Sequence, residues 1–322
     1  MRSEAKVMRN HGARLLALCM FIASCTPATK EHAAVGALIR RAEAEKTTAL
    51  VVVKGGDTLL DYRAPGTATD EALVTMSVSK TVVALAVLHL VEQGKIASLD
   101  TPAATWIAPW HAPDARSAIT LRQMLAHTSG LEEERAETWK GETFRARADK
   151  TRLLGPPGAR FQYNDNAYDL LALVVHGASG SYLDDYLHAT LFGALDVAGA
   201  YWMKDAEGHP RAAGELWMRP RDLAKVGELL VARGVYRGKR VVSERSIAQM
   251  VAPSSLNASY GLGVWLHDGA YVGKGYLGQW LVADPRSHVV AVRLRTPRTE
   301  EFTDAIEHDV WKDFWKDIVT FP

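Results

Sequence analysis

The sequence predicts an α/β fold of the α+β type: an antiparallel sheet flanked by helices, with an inserted all-helical lobe. Three observations carry this. β-rich runs lie near the start, strand signals return after residue 251, and helical patterns with Pro- and Gly-rich joints fill the stretch between. A sheet assembled from both ends of a chain leaves a cleft against whatever is inserted, and active sites tend to lie in such clefts.

Taken in order, residues 1–24 have the layout of a secretory signal. Arg2, Lys6, Arg9 and Arg14 precede the apolar run Leu15 to Ser24, which is too short to span a bilayer. Ile22-Ala23-Ser24-Cys25 resembles the bacterial lipobox, which implies lipidation at Cys25 and an exported protein held at the membrane through a lipid anchor only. The alternative is a plain signal cut nearby, for instance after Ala28, giving a soluble periplasmic or secreted protein. Cys19 lies inside the leader, so the mature chain keeps at most Cys25 and has no internal disulfide or cysteine metal site.

Residues 25–48 read as a tether and a helix, with Val35, Leu38 and Ile39 on one face. Ala49 to Lys54 and Thr58 to Tyr62 flank Gly55-Gly56-Asp57 as a hairpin. A nearly all-apolar helix follows Ser77 and ends near Gly94. Residues 101–251 form the inserted helical lobe, while 49–100 and 252–322 form the sheet lobe. In the second part, Tyr260 to His267, Ala270 to Val272, Gln279 to Ala283 and His288 to Arg295 read as strands. A final amphipathic helix carries Phe302, Ile306, Val310, Phe314 and Ile318 on one face.

Composition excludes several functions. At 48% hydrophobic and 23% charged the chain is an ordinary globular protein. Its net charge is +1, and the leader carries four basic side chains and one acidic, so the rest is net −2. No basic stripe suits nucleic acid. The histidines are scattered without metal-ligand spacing, so neither a metal nor any other cofactor is expected.

The chemistry concentrates at Ser77-Val78-Ser79-Lys80. A hydroxyl and an amine three residues apart share one helix face, close enough to exchange a proton. Ser77 stands at the helix N-terminus, where free N–H groups favour developing negative charge. Burial of Lys80 would favour its neutral amine, a base. The tetrapeptide alone is weak, since Ser3-Glu4-Ala5-Lys6 repeats it in the leader. On local evidence Ser77 could equally be an N-cap and Lys80 a solvated residue of the first turn.

Further segments carry a resemblance. They are Ile119 to Leu131 (ending His127-Thr128-Ser129-Gly130-Leu131), Pro157 to Tyr168 with Tyr163-Asn164-Asp165 inside it, and Met218 to Lys225. With the Ser77 segment they follow, over about 230 positions, the order found in the serine β-lactamase and DD-peptidase superfamily, in its class C-like branch of hydrolases and esterases. The resemblance implies a β-lactamase/transpeptidase-like fold, Ser77 as acylated nucleophile, Lys80 as its partner, and Tyr163 as proton shuttle. A phenol beside a cation would have a lowered pKa suited to that duty. His127 and Ser129 would be structural, and Glu215 and Trp217 would border the cleft.

Two departures matter. The third residue of the tyrosine motif is normally Asn and here is Asp165, which would favour the charged form of Lys80 and shift base duty toward Tyr163; Asn166 could supply the amide instead if the register slips. At the Lys-Thr-Gly motif the match is Gly273-Lys274-Gly275, which puts Lys274 one place late and on the wrong side of a strand. The segment Gly275-Tyr276-Leu277-Gly278-Gln279 resembles the esterase and nylon-oligomer hydrolase members. In those relatives the N–H at the Tyr276 position joins that of the nucleophile as oxyanion hole. The resemblance therefore implies a serine hydrolase acting on a small-molecule or peptide ester or amide, with Asp165, Gly273, Gly275 and Trp217 near the substrate. The rivals are a weak β-lactamase or D-Ala-D-Ala carboxypeptidase, and a non-catalytic binding protein for envelope peptides on the same fold.

Overall fold

The structure, a computed structural model, describes residues 27–133, 142–296 and 314–322. The leader, Cys25 and the helix positions Phe302, Ile306 and Val310 lie outside the described residues.

Strands from both ends of the chain meet in one sheet. Its order is Asp57–Arg63, Ala49–Lys54, Val289–Leu294, Gln279–Asp284, Ala270–Gly275, Trp265–His267, every pairing antiparallel. The pairings Val51↔Val292↔Leu281 place one set of side chains on the inner face, and Val52↔Ala291↔Val282 place the next set on the outer face. Both faces are buried. Val51, Val53, Leu281 and Val292 join the main core, while Leu50, Val52, Val272, Trp280 and Val282 pack under Leu38 of helix Pro27–Ala44 and under Phe314 and Ile318 of helix Phe314–Val319. Burial on two sides is why these strands read as continuous Val-rich runs.

Against the inner face lie helix Ser79–Glu92, apolar nearly all round, and helix Pro220–Val231. The latter falls within the stretch assigned to the inserted lobe, yet it packs on the sheet: a Cβ built at Gly227 would meet Val290 and Leu281. The lobe is also not purely helical. Leu216–Met218 pairs on one side with Leu73–Val74 and on the other with Tyr201–Trp202, a small sheet just before the turn that carries Ser77. Helix Asp165–Ser179 buries ten side chains against helix Ser79–Glu92 and its neighbours, so the two motif-bearing helix starts converge.

Two strands depart from expectation. Tyr260 to Val264 is irregular, with a single bridge from Tyr260 to Trp265. The next strand continues past Val272 to Gly275, since Gly273, Lys274 and Gly275 pair with Leu281, Trp280 and Gln279.

Candidate active site

The turn that carries Ser77 is built under strain. Met76, before Ser77, has φ of 48°, a left-handed conformation that costs a non-glycine residue about 1–2 kcal/mol. Hydrogen bonds hold it there. Thr75 donates its N–H and its hydroxyl to the Leu216 carbonyl at 2.8 and 3.0 Å, and Ser79 Oγ donates to the Met76 carbonyl at 2.6 Å. From this turn Ser77, half-buried, faces a cleft of about 460 Å³ lined by Met76, Tyr163, Asp165, Arg211, Glu215 and Trp265, with Lys274, Gly275 and Tyr276 at its edge.

Lys80 is 1% exposed and spends its protons fully. Its Nζ donates to Ser77 Oγ at 3.0 Å and to the Ala213 carbonyl at 2.5 Å, and lies 2.6 Å from Asp165 Oδ1. Burial works to lower this amine, but the Asp165 charge and the Tyr163 hydroxyl override it and hold Lys80 above the ordinary lysine range. The neutral amine expected from burial is therefore replaced by an ammonium, as the carboxylate at 165 foreshadowed.

Tyr163 stacks on Trp265 with centroids 6.0 Å apart, and Lys80 Nζ lies 5.0 Å from its ring centroid. Ser77 and Lys80 are close enough to its hydroxyl to act on its ionisation, both favouring the charged form. Burial raises the phenol, and the neighbouring ammonium only partly offsets this. The lowered phenol expected beside a cation is thus corrected: Tyr163 is a neutral phenol at rest.

Helix Asp165–Ser179 is capped by Asn164, whose Oδ1 accepts the Ala167 N–H at 2.6 Å. That cap sets Asp165 toward Lys80 and turns Asn166 away, its Nδ2 donating to Thr151 Oγ1 at 2.9 Å. No slip of register puts Asn166 in the cleft. His127 is fully buried and neutral, its pKa depressed by burial and by Lys80. Its Nδ1 accepts the Asn164 N–H at 3.0 Å and its Nε2 bonds Tyr260 Oη at 3.0 Å, so it anchors the backbone next to Tyr163 rather than pairing with Ser129.

Residues 35–310 match the family described as Beta-lactamase. The chain belongs to the beta-lactamase family. It is a serine hydrolase of that family, related to esterases and amide hydrolases. Among curated relatives, the 6-aminohexanoate-dimer hydrolase of Paenarthrobacter ureafaciens is 27% identical over 292 residues, covering 80% of this chain and 74% of that protein. Esterase EstB of Burkholderia gladioli is 33% identical over 176 residues, covering 51% of this chain and 41% of that protein. A solved penicillin-binding protein of Bacillus halodurans superposes with TM-score 0.66 at 21% identity, covering 80% of this chain and 94% of the other, a likeness of fold.

Within this beta-lactamase-family fold, the strand Ala270–Gly275 reaches the Ser77 turn because Gly275 has no side chain: a Cβ there would lie 2.6 Å from the Thr75 carbonyl oxygen. Tyr276 follows directly and borders the cleft. Gly273 sits deeper, packed on Val78 and Thr81, as structure rather than lining. Lys274 pairs with Trp280, and its ammonium lies 5.5 Å from that ring's centroid. Trp217 stacks on Tyr201, with centroids 5.8 Å apart, and is not among the cleft-lining residues; Trp265 supplies the lining indole. Arg211 lines the cleft and pairs with Glu215 at 2.5 Å. Neither Arg211 nor Trp265 belongs to a recognisable motif, so only the folding of a loop and of the sheet's edge strand reveals them. No group of three His, Cys, Asp or Glu suited to a metal ion occurs among the described residues, and none of their helices is long and apolar enough to cross a membrane.

Proposed function

We propose that this chain hydrolyses a neutral ester or amide through a Ser77 acyl-enzyme. The observation that carries it is the convergence of three side chains: Lys80 Nζ donates to Ser77 Oγ at 3.0 Å, lies 5.0 Å from the Tyr163 ring centroid, and Ser77 and Tyr163 line one cleft. Ser77 attacks the carbonyl, Lys80 and Tyr163 relay protons to and from the leaving group, and the N–H groups of Ser77 and Tyr276 take the oxyanion. Water then releases the acid.

A neutral substrate is supported by the charge balance of the cleft. Lys80 is matched by Asp165 and Arg211 by Glu215, while the Lys274 ammonium is drawn to Trp280. Neither Lys80 nor Arg211 is left to hold a substrate carboxylate as a β-lactamase or DD-peptidase would, and Lys274 leans toward Trp280. Export, with Cys25 as a lipid attachment point, is part of the same proposal and is supported by the leader pattern.

A fluorophosphonate probe tests the reading. Labelling of the wild type and none of Ser77→Ala is expected, with turnover of neutral esters or amides. Absence of labelling would leave a binding protein on this fold, and efficient acylation by a fluorescent penicillin would move the assignment to β-lactam or peptidoglycan substrates.

A further inference from the structure

The exchange of Asn for Asp at position 165 changes the proton inventory of the site. Asp165 Oδ1 lies 2.6 Å from Lys80 Nζ, and the same Nζ lies 3.0 Å from Ser77 Oγ. The ammonium therefore stands within proton-transfer distance of both the carboxylate and the attacking hydroxyl. We propose that Asp165 receives the proton that leaves Ser77, with Lys80 as the carrier between them. The inference rests on the hydrolase reading above.

The argument is one of lone pairs. An ammonium has three protons and no acceptor site, so Lys80 cannot take the serine proton unless it releases one at the same moment. Its partners are the Ser77 hydroxyl, the Tyr163 phenol, the Ala213 carbonyl and the Asp165 carboxylate. Only the carboxylate readily keeps a proton. In the balanced step, Ser77 Oγ bonds to the carbonyl carbon as the carbonyl π pair moves onto oxygen. The Oγ proton passes to Nζ, and one Nζ proton passes to Asp165 Oδ1. On collapse the carbonyl re-forms and the bond to the leaving group breaks. The proton then returns from Asp165 through Lys80, directly or by way of Tyr163, to the departing atom. No other reactant is required.

The groups that face Asp165 are consistent with this use. Lys80 comes from the nucleophile helix, Tyr163 from the preceding loop, and Asp169 from one turn along the same helix; Tyr260 lies beyond. Glu133 accepts the Asp165 N–H at 2.8 Å, and burial holds that carboxyl up at about 7. Arg211 and Glu215 line the same cleft but are engaged with each other. Asp165 is the more exposed end of its pair, at 40% against 1% for Lys80, although Oδ1 itself, the oxygen beside Nζ, is buried.

The test is the pH dependence of Ser77 phosphonylation by a fluorophosphonate, in which the Oγ–P bond forms and fluoride leaves. The wild-type rate is expected to be level through neutrality and to fall only on the acid side. Asp165→Asn, nearly isosteric, is expected to react about a hundredfold more slowly near neutrality. Its rate should climb roughly tenfold per pH unit, because a proton must first leave to solvent. Asp165→Glu should restore the level profile. A level profile in Asp165→Asn, at any rate, overturns the proposal, as do Asn and Glu variants slowed alike with unchanged slopes. A wild type that does not react overturns the hydrolase reading and this inference with it.

Discussion

Replacing Gly275 with alanine asks how closely the strand Ala270–Gly275 must approach the proposed nucleophile, Ser77. The added Cβ would lie 2.6 Å from the Thr75 carbonyl oxygen, 2.9 Å from Gln279 Cβ and 3.1 Å from Met76 Cβ. Ordinary contact begins at 3.4 Å, so one side must withdraw by about 0.8 Å. Thr75 is poorly placed to yield, being tied twice to the Leu216 carbonyl, and Met76 is held by Ser79. The strand end with Gly275 and Tyr276 therefore moves, and the proposed oxyanion donor moves with it. Overpacking of this kind costs about 1–3 kcal/mol. In a domain of this size that lowers the melting temperature by roughly 2–10 °C. Displacing a reacting group by about 1 Å costs on the order of a hundredfold in rate. The assay is phosphonylation of Ser77 beside thermal melting. Gly275→Ala reacting within about twofold of wild type, with unchanged melting, would refute the reasoning that packing at 275 sets the donor's position.

Lys80→Ala is expected to reduce probe labelling to background, whereas Lys274→Ala should leave neutral-ester hydrolysis within about twofold, since its ammonium lies over Trp280. A large loss in the second variant would place Lys274 in substrate binding after all. Asp169 accepts the Ala213 N–H at 2.8 Å, and burial raises its carboxyl to about 7, above an unfolded value of about 3.9. The folded state thus binds more protons between about pH 4 and pH 7, and stability attributable to this group falls as pH rises through that window. Asp169→Asn should therefore gain stability relative to wild type between about pH 5 and about pH 8 in urea titrations; a constant difference would contradict this. His127→Phe strands the Asn164 N–H, at a cost of about 1–3 kcal/mol, and should slow labelling without moving the pH profile. A shifted profile would mean that His127 titrates in the reaction.

Much of the sheet was legible because burial on both faces writes itself as Val-rich runs such as Ala49 to Lys54. The strand end at Gly273 to Gly275 was not, because glycines carry no strand propensity and only pairing with Gln279 to Leu281 extends it. Trp217 shows the limit of motif position: its neighbours Glu215 and Met218 face different surroundings, and pairing with Tyr201 in the small sheet draws the indole off the cleft. Trp265 lines the cleft from a segment without a motif, and nothing local distinguishes it from a core tryptophan.

The sequence by itself determined which groups stand together along the chain: Ser77 one turn before Lys80, Asp165 two residues after Tyr163, and Lys274 out of phase on its strand. These follow from helix and strand periods, which are local. Only the tertiary structure decided the protonation of the site. Lys80 is an ammonium and Tyr163 a neutral phenol because burial, the Asp165 charge and bonds to Ser77 and Ala213 act together on them, and those contributions arrive from segments far apart in the chain.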